Sequence, residues 1–333
     1  MYSEQSLYEI IIIGAGPAGI SLAAEAVESG VAPHKIIILE KSDNHSWSIR
    51  KFYPDEKLVT ANYKGNDVSC VGNLCIMDSS KDETLNYLGE TIQKYKLDVR
   101  YKHNADEIQK LANGQYVVCS SGECFVTKTV ALAIGVMGRP NKPSYKIPSE
   151  VNKNIFYDIS GDELNNKKIL VVGGGDSASE YAQYLVQRGN SVSLSYRREK
   201  FVRMNDINYK TIHKLNDQGK CTLLMNTDIS SLEKEGEGVK VNFKEAGPQV
   251  FDAIVYALGG TTPKNFLETI GIKMTKEGPD VTDFFESEKR EGIFLLGDLS
   301  AGRGGGSINL AFNHSHKAMK ELCTMYLDCS EEV

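Results

Sequence analysis

Residues 10–19 read IIIIGAGPAG, and this stretch decides the fold. The isoleucine run predicts a strand, and the glycines predict a tight turn into a helix over SLAAEAVESG, which ends at Gly30. A second apolar strand, KIIILE, ends at Glu40, about 20 residues beyond Gly19. Strand, glycine turn, helix, strand and acid in this order are the fingerprint of a dinucleotide-binding unit.

The same plan recurs in the second half of the chain. An apolar strand over residues 168–172 runs into GGGDSA at 173–178, then a helix, then the strand VSLSY. In both copies a later apolar strand ends at a glycine: TVALAIG ends at Gly135, and FDAIVYALGG reaches Gly259. The first copy has an additional polar and aromatic stretch near residues 43–78. This quasi-repeat predicts two nucleotide-binding βαβ units.

Composition excludes several classes of function. The chain has 333 residues, enough for about two domains. Its 38 basic and 44 acidic residues give a net charge of −6 without a long basic run, so we expect no nucleic-acid partner. No apolar stretch approaches the roughly 20 residues of a membrane span, and the first apolar run lacks the cationic flank of a secretory signal. We therefore expect a cytoplasmic protein without a membrane span.

The seven cysteines are an odd number in a chain without an export signal. This argues against a disulfide framework, and we expect most of them to be reduced. Three pairs stand out by their positions: one in VSCVGNLCI, which alternates like a strand; one flanking a hairpin turn as two small hydrophobic residues; and one expected on the terminal helix. They are Cys70 and Cys75, Cys119 and Cys124, and Cys323 and Cys329.

Together these motifs resemble the two-dinucleotide-domain flavoproteins, over nearly the whole chain. They are GAGPAG with Glu40, AIG at 133–135, GGGDSA at 173–178, ALGG at 257–260 and GD at 297–298. Length and spacing are most similar to the low-molecular-weight thioredoxin reductases. The resemblance implies an α/β fold of two Rossmann-like, three-layer ββα domains, each with a β-meander. It implies a discontinuous FAD domain, residues 1–142 and 261–333, around an NADPH domain, residues 143–260.

The resemblance also implies which residues bind FAD. Glycines let the backbone approach a pyrophosphate at a helix N-terminus, and Glu40 can accept hydrogen bonds from a ribose. In the family, Asp298 would hold the ribityl chain, and Ser307 and Ile308 would face the pyrimidine end of the flavin. The predicted FAD residues are Gly14, Gly16, Pro17, Ala18, Gly19, Glu40, Lys41, Ala133, Gly135, Gly297, Asp298, Ser307 and Ile308.

The second unit indicates NADPH rather than NADH. VSLSY is followed by basic residues, not by an acid, and arginine offers a bidentate fork for a 2′-phosphate. Thioredoxin reductases carry a similar arginine pair followed by a phenylalanine and another arginine. The predicted NADPH residues are Gly173, Gly174, Gly175, Asp176, Ser177, Arg197, Arg198, Arg203, Ala257 and Gly259.

The redox-active CxxC of thioredoxin reductases is missing, because residues 137–172 contain no cysteine. The chain therefore resembles ferredoxin or flavodoxin NADP reductases of the thioredoxin-reductase type and flavodoxin-quinone reductases, the latter through EKSDNHSWSIRKFYPDEKLVTANYKG and YRREKFVRMN. This implies an FAD-dependent NADPH oxidoreductase that passes electrons to flavodoxin, ferredoxin or a small quinone. Flavin N5 is the reactive centre, so no catalytic side chain and no metal is implied. A homodimer is implied by the resemblance alone.

Two alternatives stay open. Cys70 and Cys75 have the CxxxxC spacing of the larger glutathione-reductase type, so the chain could be a reductase of thioredoxin or of low-molecular-weight disulfides. It could also be a non-enzymatic nucleotide-binding regulator. Trp47 and Tyr53 are candidates to border the flavin, or they pack in the surface or core. Surface or helix-capping roles are expected for His45, His314 and His316.

A docking face for an acidic partner would need local basic residues despite the net negative charge. Two sets could form one, or they are ordinary solvated side chains. The first set is Arg50, Lys51, Lys57 and Lys64, and the second is Lys94, Lys96, Arg100 and Lys102.

Overall fold

A computed structural model describes residues 7–53, 57–61, 69–136, 140–159, 164–259, 264–275, 278–302 and 305–330. The chain divides into two compact units. The first unit is Met1–Arg50 with Leu58–Gly138 and Thr262–Val333, and the second is Lys51–Lys57 with Arg139–Thr261. Residues 51–57 thus belong with the second unit although first-unit residues flank them, an assignment that differs from the boundaries expected from sequence.

The regular elements follow in chain order. The strands are β1 Tyr8–Ile13, β2 Ile36–Glu40, β3 Leu58–Val59, β4 Ser79–Ser80, β5 Asp98–Tyr101, β6 Ala105–Lys110, β7 Tyr116–Ser120, β8 Glu123–Leu132, β9 Ile155–Phe156, β10 Lys168–Val172, β11 Ser191–Tyr196, β12 Cys221–Met225, β13 Ile229–Glu235, β14 Gly238–Phe243, β15 Gln249–Phe251, β16 Ala253–Tyr256, β17 Glu286–Ser287 and β18 Arg290–Leu295. The α-helices are α1 Pro17–Glu28, α2 Trp47–Phe52, α3 Lys81–Lys94, α4 Asp176–Gln187, α5 Asp206–Asp217, α6 Lys264–Thr269 and α7 Ile308–Met325.

The first unit is built on a sheet in the order β17-β18-β8-β1-β2-β5, with β6 and β7 continuing from β8. β18, β8, β1, β2 and β5 run parallel, whereas β6, β7 and the amino half of β8 form an antiparallel meander. Ile12 faces α1, and Ile11 and Ile13 pack in a core with Tyr116 and Phe125. Because both faces of β1 are covered, every position of the isoleucine run is buried.

The second unit repeats the plan with the strand order β12-β11-β10-β16-β9, all parallel. Ile169 and Val171 of β10 lie in the core that contains α4 residues, whereas Leu170 lies in the core under the β13-β14-β15 meander. Side chains of a strand alternate between faces, so one five-residue strand serves both cores. The predicted α/β class with two Rossmann-like, three-layer units is confirmed.

The expectation that most cysteines are reduced is wrong. Three pairs form disulfides, and Cys221 is free. The hairpin pair lies directly opposite on β7 and β8, as its position predicted, but it is bonded. The terminal pair is not confined to a helix, because α7 ends at Met325 and its second member lies in the tail. The bonded pairs are Cys70–Cys75, Cys119–Cys124 and Cys323–Cys329.

The alternating segment VSCVGNLCI is not a strand. Over residues 69–78 the chain is irregular, and helix side chains satisfy its backbone groups. Asn313 accepts from the Val71 amide at 3.2 Å, Asn309 accepts from the Ile76 amide at 3.0 Å, and buried Glu25 holds the next part of the loop. The alternation fails as a predictor because α1 and α7 supply the partners that a neighbouring strand would supply.

Among the described residues, none of the helices combines the length and the apolar character needed to cross a bilayer.

Candidate functional site

The starts of five α-helices are of two kinds. α3, α5 and α7 begin under side-chain caps from Ser80, Asn205 and Ser307, each of which accepts a backbone N–H. α1 and α4 begin at Gly16 and Gly175, which have no side chain to offer. No side chain therefore caps the first-turn amides of α1 and α4, and phosphate is the anion that helix N-termini prefer.

The first glycine turn is packed where the fold needs it and open where a ligand would approach. A Cβ at Gly14 would lie 2.5 Å from the Ala133 carbonyl oxygen, and one at Gly19 would lie 2.0 Å from the Gly14 oxygen. A Cβ at Gly16, by contrast, would meet nothing within 4 Å. The turn thus has the open cradle that a dinucleotide pyrophosphate requires, and the residues present fit FAD at this position.

Glu40 is buried against this turn. Its Oε2 accepts from the Ala15 amide at 2.8 Å, and its Oε1 accepts from the Ser42 amide at 2.9 Å. The carboxylate is therefore fixed at the end of β2, beside the turn, as a ribose acceptor must be. Lys41 is exposed, and its Nζ lies 5.4 Å from the centroid of the Trp47 ring.

The Gly297–Asp298 turn lies against the same helix start. A Cβ at Gly297, where φ is +65°, would lie 3.0 Å from the Ala18 Cβ, so only glycine fits closely. The Asp298 Oδ1 accepts from the Gly306 amide at 2.6 Å, which connects this turn to the loop that caps α7 at Ser307. Residues far apart in sequence therefore meet in the first unit.

All the residues predicted to bind FAD lie in the first unit, at the carboxyl ends of its strands and the starts of α1 and α7. Pro17 is the first residue of α1, Ile308 is the first residue of α7, and Gly135 follows β8 with a φ of +60°.

His314 is a residue whose place sequence reasoning missed. It is buried, not at the surface, near the Gly297 backbone, and its ring stacks on Phe285 at 4.0 Å between centroids. Burial lowers the pKa of His314 to about 4, with Lys317 acting in the same direction. A neutral imidazole therefore supports the turn that carries Asp298. The sequence did contain a signal for this burial: His314 lies seven residues after Ser307, and this spacing places both residues on the same face of α7.

His45 and His316, for which surface or capping roles were also expected, differ from that expectation as well. His45 is buried, with Nε2 2.9 Å from an Arg50 nitrogen and Nδ1 3.1 Å from the Ser46 hydroxyl. Burial and Arg50 lower the pKa of His45 to about 4. His316 is half-buried, and its Nδ1 lies 3.1 Å from a carboxylate oxygen of Glu25. Both rings therefore hold neighbouring segments in place.

The second glycine turn repeats the first. A Cβ at Gly173 would lie 2.4 Å from the Ala257 oxygen, and one at Gly174 would lie 2.1 Å from the Tyr196 ring. A Cβ at Gly175 would meet nothing within 4 Å. The open position again precedes an uncapped helix, so this turn also fits a dinucleotide pyrophosphate.

The predicted arginines flank this turn. Arg197 and Arg198 follow β11 and are exposed. Phe201 is buried, and beyond it the backbone of Arg203 forms a parallel bridge with Gly175. The basic segment therefore folds back onto the glycine turn, so cationic side chains border the site where a 2′-phosphate would be read.

The remaining predicted NADPH residues lie around the same turn. Asp176 begins α4 and accepts from the Asn205 amide at 2.8 Å, and Ser177 follows it at the exposed side of the helix. The Gly259 oxygen accepts from the Asn141 amide at 2.9 Å. These contacts position the edges of the turn.

The three described residues of the first candidate docking set do not form a basic face. Lys57 is largely buried in an ion pair with Glu180, Lys51 pairs with Asp158 at 3.4 Å, and Arg50 binds His45. Lys64 lies outside the described residues.

In the second set, Arg100 pairs with Asp98 at 3.0 Å, while Lys94, Lys96 and Lys102 are exposed. Trp47 and Tyr53 lie in different units, and the Tyr53 ring contacts the Lys57 ammonium at 4.2 Å.

Two open glycine turns on parallel sheets, one followed by an acid and one by arginines, define a flavoprotein that uses FAD and NADPH. The chain belongs to the pyridine nucleotide-disulphide oxidoreductase family, which it matches over residues 11–297. It is an FAD-dependent pyridine nucleotide oxidoreductase.

Relatives agree with this class, and solved structures share the fold. A ferredoxin–NADP reductase of Metallosphaera sedula is 26% identical over 311 residues, covering 89% of this chain and 86% of that one. The bacillithiol disulfide reductase Bdr of Bacillus cereus superposes with a TM-score of 0.81 at 20% identity, covering 96% and 99% of the two chains. A thioredoxin reductase of T. acidophilum superposes with a TM-score of 0.77 at 21% identity, covering 95% and 98%. At these identities the two structures establish the fold.

Proposed function

We propose that this chain passes reducing equivalents from NADPH through FAD to ferredoxin or flavodoxin, or to a small quinone, without a cysteine relay. When bound, FAD would supply the two-electron and one-electron redox chemistry that links NADPH to such an acceptor. The protein's own residues bind and orient: the Gly16 turn and Glu40 for FAD, and the Gly175 turn with its arginines for NADPH.

The cysteine content of the second unit carries this proposal. Residues 139–261 contain a single cysteine, Cys221, so this unit cannot form an internal dithiol. Cys221 lies in β12, is 2% exposed, and has its pKa raised to about 12 by burial. It stays protonated and inaccessible, which makes it a poor nucleophile. A direct transfer from flavin to an external acceptor needs no thiol.

The names of the curated relatives support the same acceptor class, since several of them are ferredoxin–NADP reductases. The exposed Arg197 and Arg198 support NADPH over NADH, because a guanidinium recognises a phosphate in bidentate fashion.

Steady-state turnover with NADPH across flavodoxin, ferredoxin, benzoquinone and a disulfide substrate tests the proposal. We expect a yellow protein that NADPH bleaches much faster than NADH does. We also expect turnover with at least one protein or quinone acceptor after every accessible thiol has been alkylated. A colourless protein, or one that NADPH does not reduce, would instead indicate a nucleotide-binding regulator.

The Cys70–Cys75 disulfide favours a second candidate, a reductase of thioredoxin or of low-molecular-weight disulfides. The two cysteines are bonded, and Cys75 is exposed on a loop held by α1 and α7. In this reaction two electrons that originate from NADPH, together with two protons, would reduce the Cys70–Cys75 disulfide to two thiols. Exchange with an external disulfide would then re-form the Cys70–Cys75 bond and release the substrate as two thiols. If the chain is a disulfide reductase, replacing both cysteines by serine would abolish turnover with disulfides and leave the bleaching of the flavin by NADPH intact. If the flavin passes electrons directly to an external acceptor, all activities persist in this variant.

A further inference from the structure

Two carboxylates lie on the helix whose N-terminus is the proposed pyrophosphate site. Asp176 is the first residue of α4, and Glu180 follows one turn later. Like charges four residues apart on a helix repel each other, and both repel an approaching phosphate. An anion site at this helix start therefore needs a compensating positive charge.

Lys57 supplies a positive charge there. Its Nζ lies 2.8 and 2.7 Å from the two carboxylate oxygens of Glu180, with side chains only 19% and 18% exposed. Burial opposes the charge, but Tyr53, Glu180 and Asp176 together raise the pKa of Lys57 above its ordinary value. Lys57 is therefore a fixed cation at neutral pH.

Asn208 connects the two acids into one network. Its Nδ2 lies 3.1 Å from the Asp176 Oδ1 and 3.3 Å from the Glu180 Oε1. The attraction between Lys57 and Asp176 is direct, since the charge of Asp176 contributes to raising the pKa of Lys57. The network thus joins Lys57 to the first residue of α4.

The cation comes from outside the βαβ unit that it serves. Lys57 precedes Glu180 by 123 positions and lies in residues 51–57, which belong with the second unit. We propose that Lys57 is a positioning residue for the NADPH pyrophosphate, acting through Glu180 and Asp176 by neutralising the start of α4. This inference rests on the proposed NADPH site, and it adds a residue that no nucleotide-binding motif contains.

Calorimetric titration of the FAD-loaded protein with NADP⁺ tests the role directly. We expect Lys57→Met to weaken NADP⁺ binding about tenfold, because two carboxylates are left uncompensated. Glu180→Gln should tighten binding about threefold, and the double variant should return to within about twofold of wild type. The effect of Lys57→Met should shrink as salt is added, since counterions screen charge.

A purely structural ion pair makes the opposite prediction. If the pair only anchors residues 51–57, Glu180→Gln breaks it as thoroughly as Lys57→Met does, so both variants weaken binding and the double variant restores nothing. That result overturns the proposal, as does unchanged binding in Lys57→Met. Should Lys57→Met fail to fold, Glu180→Gln alone decides, because tighter binding supports the proposal and weaker binding overturns it.

Lys153→Met is the matched control. Lys153 also pairs with a glutamate at 2.7 Å, Glu237, but the two side chains are 64% and 91% exposed. Its removal should leave the affinity for NADP⁺ unchanged. If wild type itself binds no NADP⁺, the proposed NADPH site fails; if wild type binds and Lys57→Met binds equally well, only this inference fails. Lys57→Met should raise the KM of NADPH and NADH by the same factor, since both contain the pyrophosphate.

Discussion

Gly14 and Gly16 stand two residues apart in one turn, and different constraints require them. Gly14 has a φ of +108°, and a side chain there would collide with the Ala133 carbonyl, so the fold itself requires glycine. Gly16 has ordinary extended geometry, and a Cβ there would meet no protein atom within 4 Å. The protein fold alone does not explain glycine at this position, whereas an approaching pyrophosphate does.

Gly16→Ala should therefore fold normally and lose FAD. We expect the affinity for FAD to fall by about tenfold or more, because the methyl group occupies space meant for the pyrophosphate. Flavin absorbance per chain after dialysis measures the loss. Gly247→Ala is the control, since a Cβ there also meets nothing within 4 Å, and it should keep its FAD. Full FAD occupancy in Gly16→Ala would contradict the assignment of this turn.

The buried histidines predict how stability depends on pH. Burial lowers the pKa values of His45 and His314 to about 4, below the ordinary value of 6.5. Between these values the unfolded chain binds protons that the folded chain does not, so the free energy of unfolding falls as pH drops from about 6.5 to about 4. Urea unfolding between pH 7 and pH 4.5 should show this fall, with a shallower slope in His314→Phe. Equal slopes would contradict the burial argument.

Among the helices, α3 shows how local sequence sets the start of an element. Ser80 accepts from the Glu83 amide at 3.2 Å, and the Glu83 carboxylate accepts from the Ser80 amide at 2.7 Å. This capping box satisfies two backbone donors at once, so α3 needs no ligand at its start. α1 and α4 lack such caps, and their starts are the proposed binding sites.

Ser80→Ala should lower the free energy of unfolding by about 1 kcal/mol, the typical contribution of a serine N-cap. Chemical denaturation of the first unit's transition measures it. Ser149→Ala is the control, because Ser149 bonds only its exposed neighbour Glu150 at 3.2 Å and caps no helix. A loss as large in the control as in Ser80→Ala would refute the cap as the cause.

On the scale of the whole molecule, the two units have separate cores. The first unit's core contains Ile11, Tyr116 and Leu295, whereas the second unit has one core on each face of its sheet, around Val171 and Leu170. Each unit also carries its own glycine turn. Separate cores and separate proposed ligand sites predict that each unit responds to its own ligand.

Calorimetric unfolding of the FAD-loaded protein should therefore show two transitions. Saturating NADP⁺ should raise the midpoint temperature of one transition by several degrees, because a ligand stabilises the unit that binds it. The midpoint temperature of the other transition should not change. Adenosine without phosphates is the control and should shift neither transition. A single transition that NADP⁺ moves as a whole would show that the units unfold together.

The sequence by itself determined the two βαβ units, the glycine turns, Glu40 and the arginines after β11. These features could be read because backbone sterics and strand alternation act over a few neighbouring residues. The missing cysteine pair of the second unit could likewise be read from composition alone.

The tertiary structure alone decided the rest. It placed residues 51–57 with the second unit, bonded Cys70 to Cys75, buried His314 behind Gly297 and paired Lys57 with Glu180. Each of these depends on which segments pack together, and residues 123 positions apart, as Lys57 and Glu180 are, have no local sequence pattern that predicts their contact. Local chemistry determines what a turn can bind, whereas packing determines which distant charge lies beside it.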